Sequence, residues 1–264
     1  MKRFINRIWQ NRIAKLKLCP LPKILTPIEN GRVLVFAPHP DDETIGCGGV
    51  MARLRHNGCT VKVIFVTDGG GAGSLPEGSI AIRQQEAIAA LTTLGVQDWL
   101  FLNEPDGSFK SHPKFEQQAL NIMQQFQPDW LFLPSVLDYH RDHVAIGQTI
   151  FNLWQLHKTA KRLFFYEIWS PVPATHVVDI SSVIELKQQA INHYQLPLAH
   201  CDYLSASMGL SRYRALYLPN QSHEQYAEAF VEAENNKYLS GIMANMLKMR
   251  IYLEKLLKNE HEIS

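Results

Sequence analysis

The chain is short of the features that assign a protein at a glance. Its 264 residues hold four cysteines, Cys19, Cys47, Cys59 and Cys201, far apart and with no C-x-x-C pair. That excludes a disulfide framework and a cysteine-based zinc module, and fits free thiols in a reducing compartment. No apolar run approaches the roughly 20 residues of a membrane span. Net charge is only +1, so no global field draws the chain to nucleic acid or to an acidic partner. There is no internal repeat and no low-complexity tract. The glycine-rich loop from Asp68 to Gly78 lacks the G-x-G-x-x-G order and follows the second strand, which excludes a dinucleotide turn and leaves a lid or a passive loop. With 46% hydrophobic and 19% charged residues, the composition is that of a globular chain with one large domain, or one domain and a tail.

One local charge bias stands out. Met1 to Leu18 contain Lys2, Arg3, Arg7, Arg12, Lys15 and Lys17 and no acid. Phe4, Ile5, Ile8, Trp9, Ile13 and Leu16 recur near helical spacing. The segment reads as a basic helix that either packs on the domain or lies on an anionic membrane surface. It has no continuous apolar core, so it is not a secretory signal. The expected location is cytoplasmic, with peripheral contact at the inner membrane face if residues 1–18 dock there.

Pro20, Pro22 and Pro27 separate this extension from an alternating pattern of strands and helices. Strands are predicted at Arg32–Ala37, Thr60–Thr67, Trp99–Leu102, Trp130–Leu133 and Arg162–Ile168. Helices are predicted at Gly48–Asn57, Ser79–Leu94, Pro113–Phe126 and His143–His157. Near-continuous apolar strands alternating with helices imply a mostly parallel sheet covered on both faces, an α/β Rossmann-like three-layer sandwich. Farther on, the pattern predicts a strand at Thr175–Ile180, a helix at Ser182–Tyr194, an irregular stretch at Leu196–Ser211 and an edge strand at Tyr213–Leu218. His223–Lys258 reads as largely helical. The expected organisation is an N-terminal basic extension (1–30), a catalytic domain (31–220) and a C-terminal helical segment (221–264).

The chemistry is concentrated at two strand exits. Ala37-Pro38-His39-Pro40-Asp41-Asp42-Glu43 follows Val33-Leu34-Val35-Phe36, and Asp138-Tyr139-His140-Arg141-Asp142-His143 follows Trp130-Leu131-Phe132-Leu133-Pro134. Unpaired charges there would cost several kcal/mol each if buried. A shared metal ion is the economical compensation. In open α/β sheets ligands sit at the carboxyl ends of strands where the strand order reverses, and in a Rossmann-like order these two exits are neighbours. Taken singly, His39 reads as a turn or cap residue, Asp41 to Glu43 as acids favouring a helix dipole, and H-x-D-H as a weak surface pattern. Together they form one site.

A catalytic zinc takes three protein ligands and keeps one position for water. His39 and Asp42 share a tight turn and His143 comes from the second cluster. A metal there would lower the pKa of its water from about 15.7 to about 7. Asp41 is placed to act as general base. His140, three residues before His143, is placed to stabilise the oxyanion or to protonate a leaving amine. Asp142 is placed to fix a histidine tautomer, supporting the catalytic residues. Two histidines and a carboxylate suit Zn2+, and also Fe2+ or Co2+.

At this point a family resemblance appears. A-P-H-P-D-D-E-T-I-G-C-G-G resembles the A-H-P-D-D-E signature of the LmbE-like, or PIG-L, zinc N-deacetylases, and H-R-D-H resembles their H-P-D-H motif. The likeness runs from about Arg32 to at least Tyr194. It implies a Rossmann-like fold, one zinc ion, and removal of acetyl from an N-acetylated amino sugar such as an N-acetylglucosamine conjugate, small or lipid-linked, in glycoconjugate biosynthesis. It implies His39, Asp42 and His143 as ligands, Asp41 as base and His140 as the oxyanion or acid residue. It further implies that Arg83 and Asp106 hold substrate. Otherwise Arg83 is an exposed partner of Glu86 and Asp106 is a plain Asp-Gly turn. Arg141 departs from the family proline. Hydrolysis of another amide or carbamoyl group, and a non-catalytic sugar- or nucleotide-binding module, remain alternative readings.

Overall fold

The computed structural model describes residues 21–71, 76–219 and 224–233. The expected basic helix at 1–18, and the part of the C-terminal segment from 234 on, lie outside the described residues. The framework is one sheet built from β1 (Lys23–Ile24), β2 (Arg32–Ala37), β3 (Thr60–Thr67), β4 (Asp98–Glu104), β5 (Trp130–Pro134), β6 (Arg162–Tyr166), β7 (His176–Asp179) and β8 (Ala227–Glu232). Its spatial order is β1-β7-β8-β6-β5-β2-β3-β4. All neighbours pair in parallel except β8, which is antiparallel to both β6 and β7.

Side chains on the central strands alternate between two cores. Val33, Val35 and Ala37 of β2, with Trp130 and Phe132 of β5, enter a core shared with α1 (Asp42–His56) and α2 (Ser79–Thr93). Leu34 and Phe36, with Leu131 and Leu133, enter a second core shared with α3 (Pro113–Phe126) and α4 (Arg141–His157). Every residue of β5 is buried, which is why this strand reads as a continuous apolar run. The three-layer α/β expectation therefore holds, and the strands at Arg32–Ala37 and Thr60–Thr67 and the helix at Pro113–Phe126 have the predicted bounds.

Three stretches differ from expectation. First, α1 starts at Asp42 and not at Gly48. It contains a break at Cys47, whose φ is −146°, and the G-C-G-G run there has too little helix propensity to reveal its first turn. A Cβ on Gly46 would stand 2.2 Å from Tyr166 and 2.8 Å from the Glu167 carbonyl oxygen, so glycine lets α1 lie directly on the end of β6. Second, Leu196–Ser211 and Tyr213–Leu218 are neither irregular nor an edge strand. They contribute the end of a short α6 (Gln195–Leu198), then α7 (Tyr203–Arg214), then a 3-10 turn at Ala215–Tyr217. The buried positions of α7 are Ser207, Ser211 and Arg214. Helical spacing is present, but in polar residues that a hydrophobic pattern misses. Between β7 and α6 lies α5 (Ile184–Ile191).

Third, Ala227–Glu232, expected to be helical, is β8. Its Glu228 is buried and accepts the amide hydrogens of Gly49 and Val50, each at 2.8 Å. Lys187 of α5 donates to Glu228 at 2.6 Å and to the Ile45 carbonyl oxygen at 2.8 Å. The break at Cys47 frees these backbone groups from the helix ladder, and the buried ion pair satisfies them. The residues past the expected 220/221 boundary thus contribute a central part of the sheet.

Candidate active site

β2 and β5 lie side by side, with Val33 against Trp130 and Val35 against Phe132. The turns leaving their carboxyl ends meet. His39 lies on the turn into α1, Asp42 is the first residue of that helix, and His143 lies in the first turn of α4. His39 Nδ1, Asp42 Oδ2 and His143 Nε2 form a triangle with edges of 3.0, 3.1 and 3.2 Å. Donors on a tetrahedron with bonds of about 2.0–2.1 Å stand roughly 3.3 Å apart, so these three atoms match one face of it.

The far side of each imidazole carries a carboxylate. Asp106 Oδ1 lies 2.9 Å from His39 Nε2, and Asp138 Oδ1 lies 3.1 Å from His143 Nδ1. Protons on those nitrogens would leave the lone pairs of the near nitrogens on the common point, as in metal-ligating histidines. The electrostatics agree. Burial alone would lower the pKa of His143, yet Asp42 and Asp138 push it up to about 9. Burial likewise opposes charge on His39, but Asp106, Asp142 and Asp42 drive it well above the usual imidazole range. Burial opposes charge on Asp42 too, and the two histidines still hold it ionised. The carboxylates around this point call for positive charge, and the residues present fit a divalent cation. Among the described residues, His39, His140 and His143, and separately His39, Asp106 and Asp142, also bring candidate ligand atoms within 4.8 Å of one another.

Asp41 sits at the head of α1 with φ of 137°, a strained conformation for a residue with a side chain. Its amide hydrogen goes to Glu43 at 3.2 Å, and its carboxylate receives Arg83 Nη2 at 3.3 Å. Burial pushes the Asp41 carboxyl up to about 7 against the pull of Arg83. Glu43 is buried and accepts from Tyr194, and burial pushes it up to about 7 as well. His140 caps α4, its Nδ1 accepting the Asp142 amide hydrogen at 3.3 Å, so Nε2 carries the proton. Burial, then the charges of His39 and His143, lower its pKa and favour the neutral ring.

Asp142 reaches His39 Nε2 only at 3.4 Å and is engaged mainly by the amide hydrogens of Gly107 at 2.6 Å and Phe109 at 3.2 Å. It ties the loop after β4 to the site, while Asp106 and Asp138 are the closer partners of the two rings. Arg83 is buried and is not an exposed partner of Glu86. It donates to Gly69 O at 2.8 Å and Pro40 O at 3.0 Å, while Glu86 accepts from the Leu196 amide at 3.0 Å. Asp106 also receives the Gly71 amide hydrogen at 3.0 Å, so it is more than a turn residue. Arg141 is exposed.

His39, Asp41, Asp42, Arg83, Asp106 and His140 line a cavity of about 160 Å³, closed on its other side by Ile45, Ile168, Trp169 and Tyr203. Sequence reasoning assigned no role to Asp138, although it stands in the second cluster. Its place behind His143 needed the geometry of the turn. Tyr203 carried no local signal because α7 itself was not visible, and Trp169 stands in the loop just past β6 with no charged or histidine residue adjacent to it in sequence to mark it.

The fold is an open, mostly parallel α/β sheet with a histidine and carboxylate cluster at the junction of two parallel strands, and that cluster could hold a cation. Residues 34–154 match the family model described as PIG-L, GlcNAc-PI de-N-acetylase. It is 26% identical over 220 residues, 75% of this chain and 81% of the other, to the diacetylchitobiose deacetylase of Thermococcus kodakarensis. Among solved structures, the conserved protein TT1542 of Thermus thermophilus superimposes with a TM-score of 0.68 at 28% identity, over 79% of this chain and 96% of that one. The 4-carboxy-2-hydroxymuconate hydratase GalB of Pseudomonas putida KT2440 shares the fold, with a TM-score of 0.67 at 18% identity over 78% of this chain and 97% of that one. Fold alone therefore does not choose the reaction. No helix among the described residues is long and apolar enough to cross a membrane.

Proposed function

We propose that the protein is a metal-dependent hydrolase that removes the acetyl group from an N-acetylated amino sugar of the N-acetylglucosamine type. The observation that carries this reading is the donor triangle of His39, Asp42 and His143 beside the buried Asp41. His39, Asp42 and His143 would hold the metal, zinc by the nature of the donors, with Fe2+ or Co2+ suited to the same set. When bound, the metal supplies Lewis-acid polarisation of the acetyl carbonyl and acidifies a water.

The chain supplies the rest. Asp41, with a pKa near neutrality, takes the proton from the attacking water, the match a general base needs. Arg83 holds its carboxylate in place. As the carbonyl carbon becomes tetrahedral, negative charge develops on oxygen, and the Nε2–H of His140 is positioned to donate to it. Removing one such donor typically costs about 3–4 kcal/mol of transition-state stabilisation. The proton on Asp41 then passes to the amine nitrogen as the C–N bond breaks. Asp106 and Arg83 remain able to receive sugar hydroxyls from the cavity wall. The diacetylchitobiose deacetylase relative supports the amino-sugar assignment.

Acetate release from N-acetylglucosamine, its glycosides and N,N'-diacetylchitobiose tests the proposal. Release that stops on thorough chelation and returns with Zn2+ is expected. Release unaffected by chelation would overturn the metal role, and hydrolysis confined to non-sugar amides would overturn the substrate class.

A further inference from the structure

The cavity has two unlike walls. One is charged, made by His39, Asp41, Arg83 and Asp106. The other is lined by Ile45, Ile168, Trp169 and Tyr203. Trp169 is 51% exposed. The other exposed large hydrophobics among the described residues, Tyr139 and Leu156 for example, do not line this cavity. A half-exposed indole beside a charged cleft offers a flat apolar surface to whatever enters it.

The ring is also held. The Trp169 amide hydrogen goes to Asp138 Oδ2 at 3.0 Å, while Oδ1 of the same buried carboxylate stands 3.1 Å from His143 Nδ1. One carboxylate therefore sets both a candidate metal ligand and the backbone that carries the indole. Tyr203 of α7 packs edge-to-face on Trp169, with centroids 5.5 Å apart and planes at 80°, which fixes the tilt of the ring.

A pyranose has the complementary split. Its hydroxyls project around the rim, and its axial C–H bonds form an apolar patch on the ring face. We infer that Trp169 is the platform for the sugar ring, braced by Tyr203, with the pyranose C–H face on the indole and its hydroxyl edge toward Asp106 and Arg83. The inference rests on the amino-sugar reading of the same site, and it makes Trp169 a residue that selects sugars over other N-acetylated amines.

The test compares Trp169→Ala and Trp169→Phe with the unaltered protein. Two measurements are made: acetate-release kinetics on an N-acetylglucosamine glycoside, and intrinsic fluorescence during titration with N-acetylglucosamine in metal-free and zinc-loaded protein. The alanine variant is expected to raise KM about five- to tenfold, the scale of one aromatic contact, with a smaller change in kcat. The phenylalanine variant is expected to recover most of the affinity. Fluorescence is expected to respond to sugar in the unaltered protein, and the response to disappear in both variants because the reporting indole is gone. Unchanged KM in Trp169→Ala with acetate release intact overturns the platform and leaves the reaction standing. A fall in kcat at constant KM also overturns it, since the ring would then be positioning the reacting groups. A Trp169-dependent fluorescence response in a protein that releases no acetate supports the platform and overturns the reaction.

Discussion

Asp138 Oδ1 lies 3.1 Å behind Nδ1 of His143, on the side of the ring opposite Asp42. The same relation holds between Asp106 and His39 at 2.9 Å. Each carboxylate thus places negative charge against the imidazole nitrogen that faces away from the common point. Asp138→Asn is therefore expected to weaken metal affinity by about 10- to 100-fold. Competition for Zn2+ against a chromogenic chelator measures it, and affinity equal to that of the unaltered protein would refute the role.

Asp41→Asn keeps the size of the side chain and removes the proton acceptor. Acetate release is expected to fall by about 10²- to 10⁴-fold, the range for loss of a positioned general base. Metal content, measured by elemental analysis, is expected to stay at one equivalent. Loss of both together would make Asp41 a contributor to the metal site.

Metal binding is also expected to appear as stability. A ligand that binds only the folded chain adds about 2.7 kcal/mol when its concentration is 100 times Kd. Thermal unfolding with graded Zn2+ should therefore show a rising Tm, and His143→Ala should abolish the rise. A Tm independent of Zn2+ in the unaltered protein would count against the site.

The buried pair between Lys187 and Glu228 gives a prediction separate from catalysis. Glu228→Ala leaves Lys187 buried without its carboxylate and strips the Gly49 and Val50 amides of their acceptor. The expected cost is about 3–5 kcal/mol, or roughly 10 °C in Tm for a domain of this size. Adding Lys187→Met removes the stranded charge but not the unsatisfied amides, so the double variant should recover only part of the loss. Full recovery in a melting experiment would show that the amides find other partners.

The core of the fold and most of the candidate site were legible in the sequence, for a physical reason. Buried parallel strands write themselves as apolar runs, and Arg32–Ala37 and Trp130–Pro134 do so without interruption. The clusters at their ends stand out because charge cannot otherwise follow such runs. What stayed hidden was polar burial. α7 buries Ser207, Ser211 and Arg214, and β8 buries Glu228, so neither shows the apolar period that marks its kind. Arg83 was visible as a residue but not as a buried one. Its burial depends on carbonyl oxygens of Pro40 and Gly69, which no side-chain pattern announces.

The position of β8 has a consequence for assembly. β7, and β1 with it, joins the rest of the sheet only across β8, which lies about 50 residues later in the chain than β7. Until β8 is made, β1 and β7 can pair with each other but lack the strand that links them to β6. The last-made strand is thus a keystone, joining its earlier neighbours to the half of the sheet that carries the candidate site and bringing Glu228 to the amides freed by the break in α1.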